Sequence, residues 1–213
     1  DWFNVVIENL ESSKRGVVFV GGATADGAMS GSIENCVFRN LTSTYTSVSV
    51  WADPLVQIMG NGNLAFDNCE FSDLSMSDDN SYAIALGGVQ FPQQRNNFSF
   101  KNCLFSNNTS QGGIVLVNSK NNPNVSIINC SFAGNESDSF TLATNGNVSI
   151  TNSIFYNDSP YEIKVNPMSD TEELNTLNIR HSLISNGISG IQQAVGNTIN
   201  YSETNITGNP LFL

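Results

Sequence analysis

The chain has 213 residues, 39% of them hydrophobic and 13% charged, with a formal net charge of -11. That length holds one domain with a sizeable core, and an acidic chain without a basic patch excludes nucleic acid and an anionic membrane surface as partners. No apolar run reaches the ~18 residues of a membrane-spanning helix, so membrane insertion is not expected.

In chain order, one nine-residue core recurs seven times. It reads WFNVVIENL at Trp2–Leu10, IENCVFRNL at Ile33–Leu41, FDNCEFSDL at Phe66–Leu74 and FKNCLFSNN at Phe100–Asn108. It continues as IINCSFAGN at Ile127–Asn135, ITNSIFYND at Ile150–Asp158 and IRHSLISNG at Ile179–Gly187. Such internal repeats signal a solenoid or array. The first position is always large and apolar, and Leu64, Phe98, Val125, Val148 and Leu177 lie two residues earlier. A spacing of two is a strand with one buried face. The third position is Asn until His181, the fourth is Cys36, Cys69, Cys103 or Cys130 in the middle copies, and the sixth is mostly Phe. The second and fifth positions vary freely. Adjacent recurring residues, Asn then Cys, break the period of two, and that break predicts a corner between two short strands.

A second apolar run follows each core, for example Val56–Met59, Ala83–Leu86, Ile114–Val117 and Ile163–Val165, so each repeat offers three strands. The third-position residues are spaced 31, 33, 34, 27, 23 and 29 apart. The shortest spacing fits a three-strand coil with tight turns. Helical arrays and the ~40-residue blades of a propeller fit less well. Equivalent positions on successive coils then stack about 4.8 Å apart.

The stacked Asn column at a turn, with aliphatic and aromatic columns beside it, resembles the right-handed parallel β-helix of the pectate-lyase-like superfamily over essentially the whole chain. The resemblance implies an all-β, single-stranded parallel β-helix of about seven to eight three-strand coils, a single domain over residues 1–213. The Gly21–Gly31 turn, GGATADGAMSG, resembles the GGA(I)/FxxN repeats of polymorphic outer-membrane adhesins. Phe105–Asn108, Phe132–Asn135 and Gly112–Ile114 share that pattern, while Phe38–Leu41 departs from it. The terminal NPLF segment is similar to the last coils of bacterial secreted β-helix proteins. Asp1 starts inside a repeat and the chain ends on apolar residues, so a segment of a longer chain is expected, its open ends meeting neighbouring domains or subunits.

Within such a coil, Asn35, Asn68, Asn102, Asn129 and Asn152 are expected to form a buried amide ladder, because a buried Asn must be hydrogen-bonded. His181 either ends that ladder or serves as a catalytic base. Cys36, Cys69, Cys103 and Cys130 are expected to stack at one inward corner as small apolar fillers rather than as disulfides or a metal site, since no CxxC or CxH spacing occurs. Sequons such as Asn40, Asn97, Asn124, Asn135, Asn147 and Asn157 are expected by chance in a chain this rich in Asn, Ser and Thr. Asn129, also a sequon, should be inaccessible in the ladder.

Two loops offer chemistry. Thr42–Asn63 carries Tyr45, Trp51 and Asp53, which either stack on and hydrogen-bond a sugar or pack against the rod's flank. Ser75–Tyr82 carries Asp78, Asp79 and Tyr82, where paired carboxylates could bind Ca²⁺ or do acid–base work, or simply form an exposed acidic turn. Both loops follow the same strand on adjacent coils and should lie side by side. Other enzyme elements do not assemble. The hydrolases of this superfamily carry N-T-D, D-D, G-H-G and R-x-K elements, of which only D-D is present, and the lone histidine lies in R-H-S. The expectation is therefore a non-catalytic extracellular adhesin, stalk or surface segment, bacterial, cofactor-free and with weak glycan contacts. The alternative is a polysaccharide lyase or hydrolase.

Overall fold

A computed structural model describes residues 1–13, 18–21, 30–44, 54–59, 62–77, 82–87, 96–117, 123–165 and 174–210. Among the described residues, strands form three sheets of eight, eight and seven members, and every pairing between successive coils is parallel. One coil shows the plan. Asn124–Ile128 lies in the first sheet, Ser131–Ser137 in the second and Phe140–Thr144 in the third, before Asn147–Thr151 re-enters the first one rung on. In-register partners, Val125 with Val148 and Ile127 with Ile150, carry the inward apolar columns of the sequence.

The predicted corner is a backbone event. Asn4, Asn35, Asn68, Asn102, Asn129, Asn152 and His181 all hold φ between 50° and 55°. This left-handed region is closed to most side chains and favours Asn, Asp, His and Gly. One left-handed residue turns the chain and resets the alternation, so the apolar first position and the fourth-position Cys both face inward. The turn also points the asparagines outward. Asn35, Asn68, Asn102, Asn129 and Asn152 are exposed, not buried, and Asn129 is accessible. Their side-chain ladder is partial: Asn68 Nδ2 donates to Asn35 Oδ1 at 2.8 Å and Asn129 to Asn102 at 3.3 Å, but Asn102 donates to Asp67 Oδ1 at 2.9 Å. Conformation, more than amide pairing, selects this column. A second left-handed position follows at Asn9, Asn40, Asp73, Asn107 and Gly134, with φ of 52–65°.

Inside the rod the columns stack face to face. The rings of Phe38, Phe71, Phe105, Phe132 and Phe155 lie 4.3–4.9 Å apart and within 9° of parallel, as the rung spacing requires. The four cysteines are free and buried beside them. Cys36 Sγ–H donates to Glu34 O at 3.2 Å and Cys69 Sγ–H to Ile33 O at 3.1 Å. The neighbouring Cys103 thiol, then burial, hold Cys69 well above the ordinary thiol range, and the neighbouring Cys130 thiol pushes Cys103 up to about 12. Cys69 and Cys103 are thus unreactive packing thiols, whereas the contact with Cys103 lowers Cys130. Ser153 and Ser182 continue the column, accepting from the N–H of Cys130 and Ser153 at 3.1 Å each.

The ninth position of the core changes character along the rod. It is Leu41 and Leu74 in the second and third coils, both fully buried. It is Asn108 and Asn135, equally buried, in the next two. Asn108 N–H and Nδ2 donate to Asn135 Oδ1 at 3.0 and 2.8 Å, and Asn135 N–H and Nδ2 donate to Asn157 Oδ1 at 3.0 and 2.7 Å. The ladder ends on Glu162, 1% exposed. Its Oε1 accepts from Asn157 N–H at 2.9 Å and Ser185 Oγ at 2.8 Å, its Oε2 from Asn157 Nδ2 at 2.7 Å and Thr141 Oγ1 at 3.1 Å. Four neutral donors satisfy a buried carboxylate. This is the buried asparagine ladder of the molecule, at a different column from the expected one.

Candidate functional site

Of the residues singled out on loops, Tyr45, Trp51, Asp53, Asp78 and Asp79 lie outside the described residues. Tyr82 is described. Its ring stacks on Phe140 with centroids 5.9 Å apart, and burial pushes its phenol above the ordinary range. Gly113 lies between them in register, and a Cβ there would sit 2.3 Å from the Phe140 ring. Tyr82 thus packs on the rod's own flank.

The outer face of the first sheet is where polar side chains converge. The strand alternation that sends Phe98, Val125 and Val148 inward sends their neighbours outward in three columns. The first is Asn63, Asn97, Asn124 and Asn147. Asn97 Nδ2 donates to Asn63 Oδ1 at 2.6 Å and Asn124 Nδ2 to Asn97 Oδ1 at 2.9 Å. The second is Ala65, Ser99, Ser126, Ser149, Asn178 and Asn200, in register from coil to coil. Three sequons, at Asn97, Asn124 and Asn147, are therefore one structural position repeated: outward Asn, inward apolar residue, outward Ser. The sequon at Asn135 is sealed in the interior, with 0% exposure.

The third column is the freely varying second position of the core: Glu34, Asp67, Lys101, Ile128, Thr151 and Arg180. Lys101 Nζ lies 3.7 Å from Asp67 Oδ2. Arg180 Nε donates to Thr151 Oγ1 at 3.3 Å. Arg39, on the second sheet, pairs with Glu8. Glu34 and Asp67 are neighbouring carboxylates on adjacent rungs. Their adjacency was legible in the aligned core, but a column of mixed composition carries no repeat signal. Toward the last coils the face dips into an open groove of about 600 Å³ lined by Ser149, Asn178, Arg180, Asn200, Tyr201 and Ser202.

Chemically, the face is a grid of amide and hydroxyl groups, repeated every ~4.8 Å along the rod and every ~6.8 Å along each strand. Such a grid hydrogen-bonds a polyol. Among the described residues no group of three or more His, Cys, Asp and Glu side chains is placed to hold a metal ion. His181 stands at an exposed left-handed corner, its N–H donating to Thr204 Oγ1 at 3.1 Å, and occupies the Asn position for conformational reasons.

A family model described as the right-handed beta helix region matches residues 21–209. The chain belongs to the right-handed β-helix family. No curated protein and no solved structure matches it. The three parallel sheets are thus the walls of a right-handed parallel β-helix, consistent with the pectate-lyase-like superfamily. Function on this fold is set by what the outer faces carry.

Proposed function

We propose that the chain is a non-catalytic, extracellular β-helix rod, an adhesin or stalk segment of a bacterial surface, whose first-sheet face makes weak contacts with glycans. The observation that carries this reading is the in-register array of Asn97, Asn124 and Asn147 beside Ser99, Ser126 and Ser149. A face of neutral donors and acceptors suits hydroxyl-rich ligands, and its Lys101 is engaged by Asp67 rather than poised as a base. Co-sedimentation with insoluble polysaccharides, with reducing ends and unsaturated products assayed in the same tubes, tests the proposal. Retention without product is expected, weakened by Ser126→Lys.

A polysaccharide-active enzyme is the second reading, favoured by one observation: Glu34 and Asp67 on adjacent rungs, with Lys101 next in the column. Carboxylates that close can divide acid and base roles. Product formation that falls in Asp67→Asn would establish it and displace the rod.

A further inference from the structure

The second sheet carries a pocket that neither reading uses. Between Phe132 and Glu136 the fifth coil has three residues, Ala133, Gly134 and Asn135, whereas between Phe155 and Asp158 the sixth has two, Tyr156 and Asn157. The register slips there, because the left-handed corner held by Asn107 and Gly134 in the preceding coils has no counterpart in the shorter sixth coil. The mismatch leaves an open pocket of about 580 Å³. That volume lies within the roughly 300–1,000 Å³ of small-molecule sites. Tyr156, Asp158, Ser185, Asn186 and Asn209 line it, with Asn157 in its floor.

The floor is held from behind. Glu162 accepts from Asn157 N–H and Nδ2 and from Ser185 Oγ, so one buried carboxylate fixes two lining side chains at 2.7–2.9 Å. The fold does not require this arrangement, because Leu41 and Leu74 fill the same column earlier in the rod. A buried carboxylate is expensive where an apolar residue would serve. Here it sits behind the wall of the pocket, and the side chains it immobilises are preorganised.

We propose that this pocket binds a single neutral pyranose unit of a glycan. The Tyr156 ring offers an apolar face to sugar C–H groups, and Asp158 accepts from vicinal hydroxyls. Ser185 and the amides of Asn186 and Asn209 supply the remaining polar contacts. Asp158 at the rim and Glu162 behind the floor place negative charge on the site, which selects against uronates and other anions. The inference rests on the glycan-facing part of the rod proposal and assigns it a second, separate site.

Isothermal titration or saturation-transfer NMR with the methyl glycosides of glucose, galactose and mannose, and with methyl galacturonate as the charged control, tests it. At least one neutral methyl hexoside is expected to saturate the protein and the uronide is not. Affinity is expected to fall at least ~10-fold in Tyr156→Ala and in Asp158→Asn and to stay unchanged in Arg39→Ala, whose side chain pairs with Glu8 away from both sites. Far-UV circular dichroism establishes that each variant is folded. Failure of every neutral hexoside to saturate the wild type overturns the proposal. So does wild-type affinity in folded Tyr156→Ala and Asp158→Asn. Polysaccharide retention lost in Ser126→Lys but kept in Tyr156→Ala would sustain the rod face while removing the pocket.

Discussion

The second and third coils and the fourth to sixth coils solve the same packing problem with opposite chemistry. In the former, Leu41 and Leu74 fill the ninth-position column with apolar side chains, and at the junction the Leu74 N–H donates to Asn108 Oδ1 at 3.0 Å. In the latter, Asn108 and Asn135 fill it, joined by Asn157 from the eighth position of the shorter sixth coil, and each amide is tied to the next rung until Glu162 accepts the last donors. The fourth-position column runs in parallel, with Cys36 to Cys130 giving way to Ser153 and Ser182. A parallel coil accepts either filling. What it does not tolerate is a junction where a buried donor or acceptor lacks a partner.

The largest effect is expected where the polar column is anchored. Glu162→Leu strands Asn157, Thr141 and Ser185 donors in the interior, and a loss of about 3–5 kcal/mol in urea unfolding is expected. Glu162→Gln, which keeps shape but faces an amide N–H₂ toward donors, should lose about 1–3 kcal/mol. Next comes the middle of the ladder. Asn135→Leu removes the acceptor of Asn108 and the donor to Asn157 and should lose about 2–3 kcal/mol. Asn108→Leu, which strands the Leu74 N–H but keeps the backbone N–H at 108 donating to Asn135 Oδ1, should lose less; equal losses would show that the ladder is not a chain of dependent bonds.

Smaller effects sharpen the account of the corners. Asn102→Ala should lose about 1–2 kcal/mol, because Ala has no short polar side chain to offset the strain of its Cβ in the left-handed region, whereas Asn102→Gly should stay close to the wild type. Equal losses in both would mean that the amide contacts of Asn102, not its φ of 55°, select asparagine there. Smallest of all, Cys103→Ser should shift stability by less than about 1.5 kcal/mol, because Ser153 already occupies an equivalent site two rungs on.

Most of the architecture is written in the repeat, because in a parallel solenoid each recurring column is a line of direct contacts. The corner between Asn and Cys was legible for the same reason. Its asparagines were misplaced because a column of Asn is compatible with both an amide ladder and a left-handed turn, and letters do not carry φ. His181 was the clue: histidine cannot extend an amide ladder but tolerates the left-handed region, and it sits at φ 51°. The true buried ladder stayed hidden because its column alternates between Leu and Asn, which reads as variation. Only the FxxN pattern at Phe105–Asn108 and Phe132–Asn135 hinted that stacked rings and buried amides travel together. The pocket beside Tyr156 was invisible because it arises from a one-residue length difference between coils, which no single repeat contains.

The central claim is that this interior column accepts apolar or polar filling and is unstable only where a junction leaves a buried amide without its partner. Equilibrium urea unfolding of Asn135→Leu against the combined Asn108→Leu, Asn135→Leu, Asn157→Leu and Glu162→Leu protein tests it directly. The combined protein is expected to be at least as stable as the single variant, since the column's amides are removed together with their mates and only the Thr141 and Ser185 hydroxyls are left as side-chain donors without Glu162. A combined loss equal to the sum of the four separate losses would contradict the claim, because the polar column would then be a set of independent contacts.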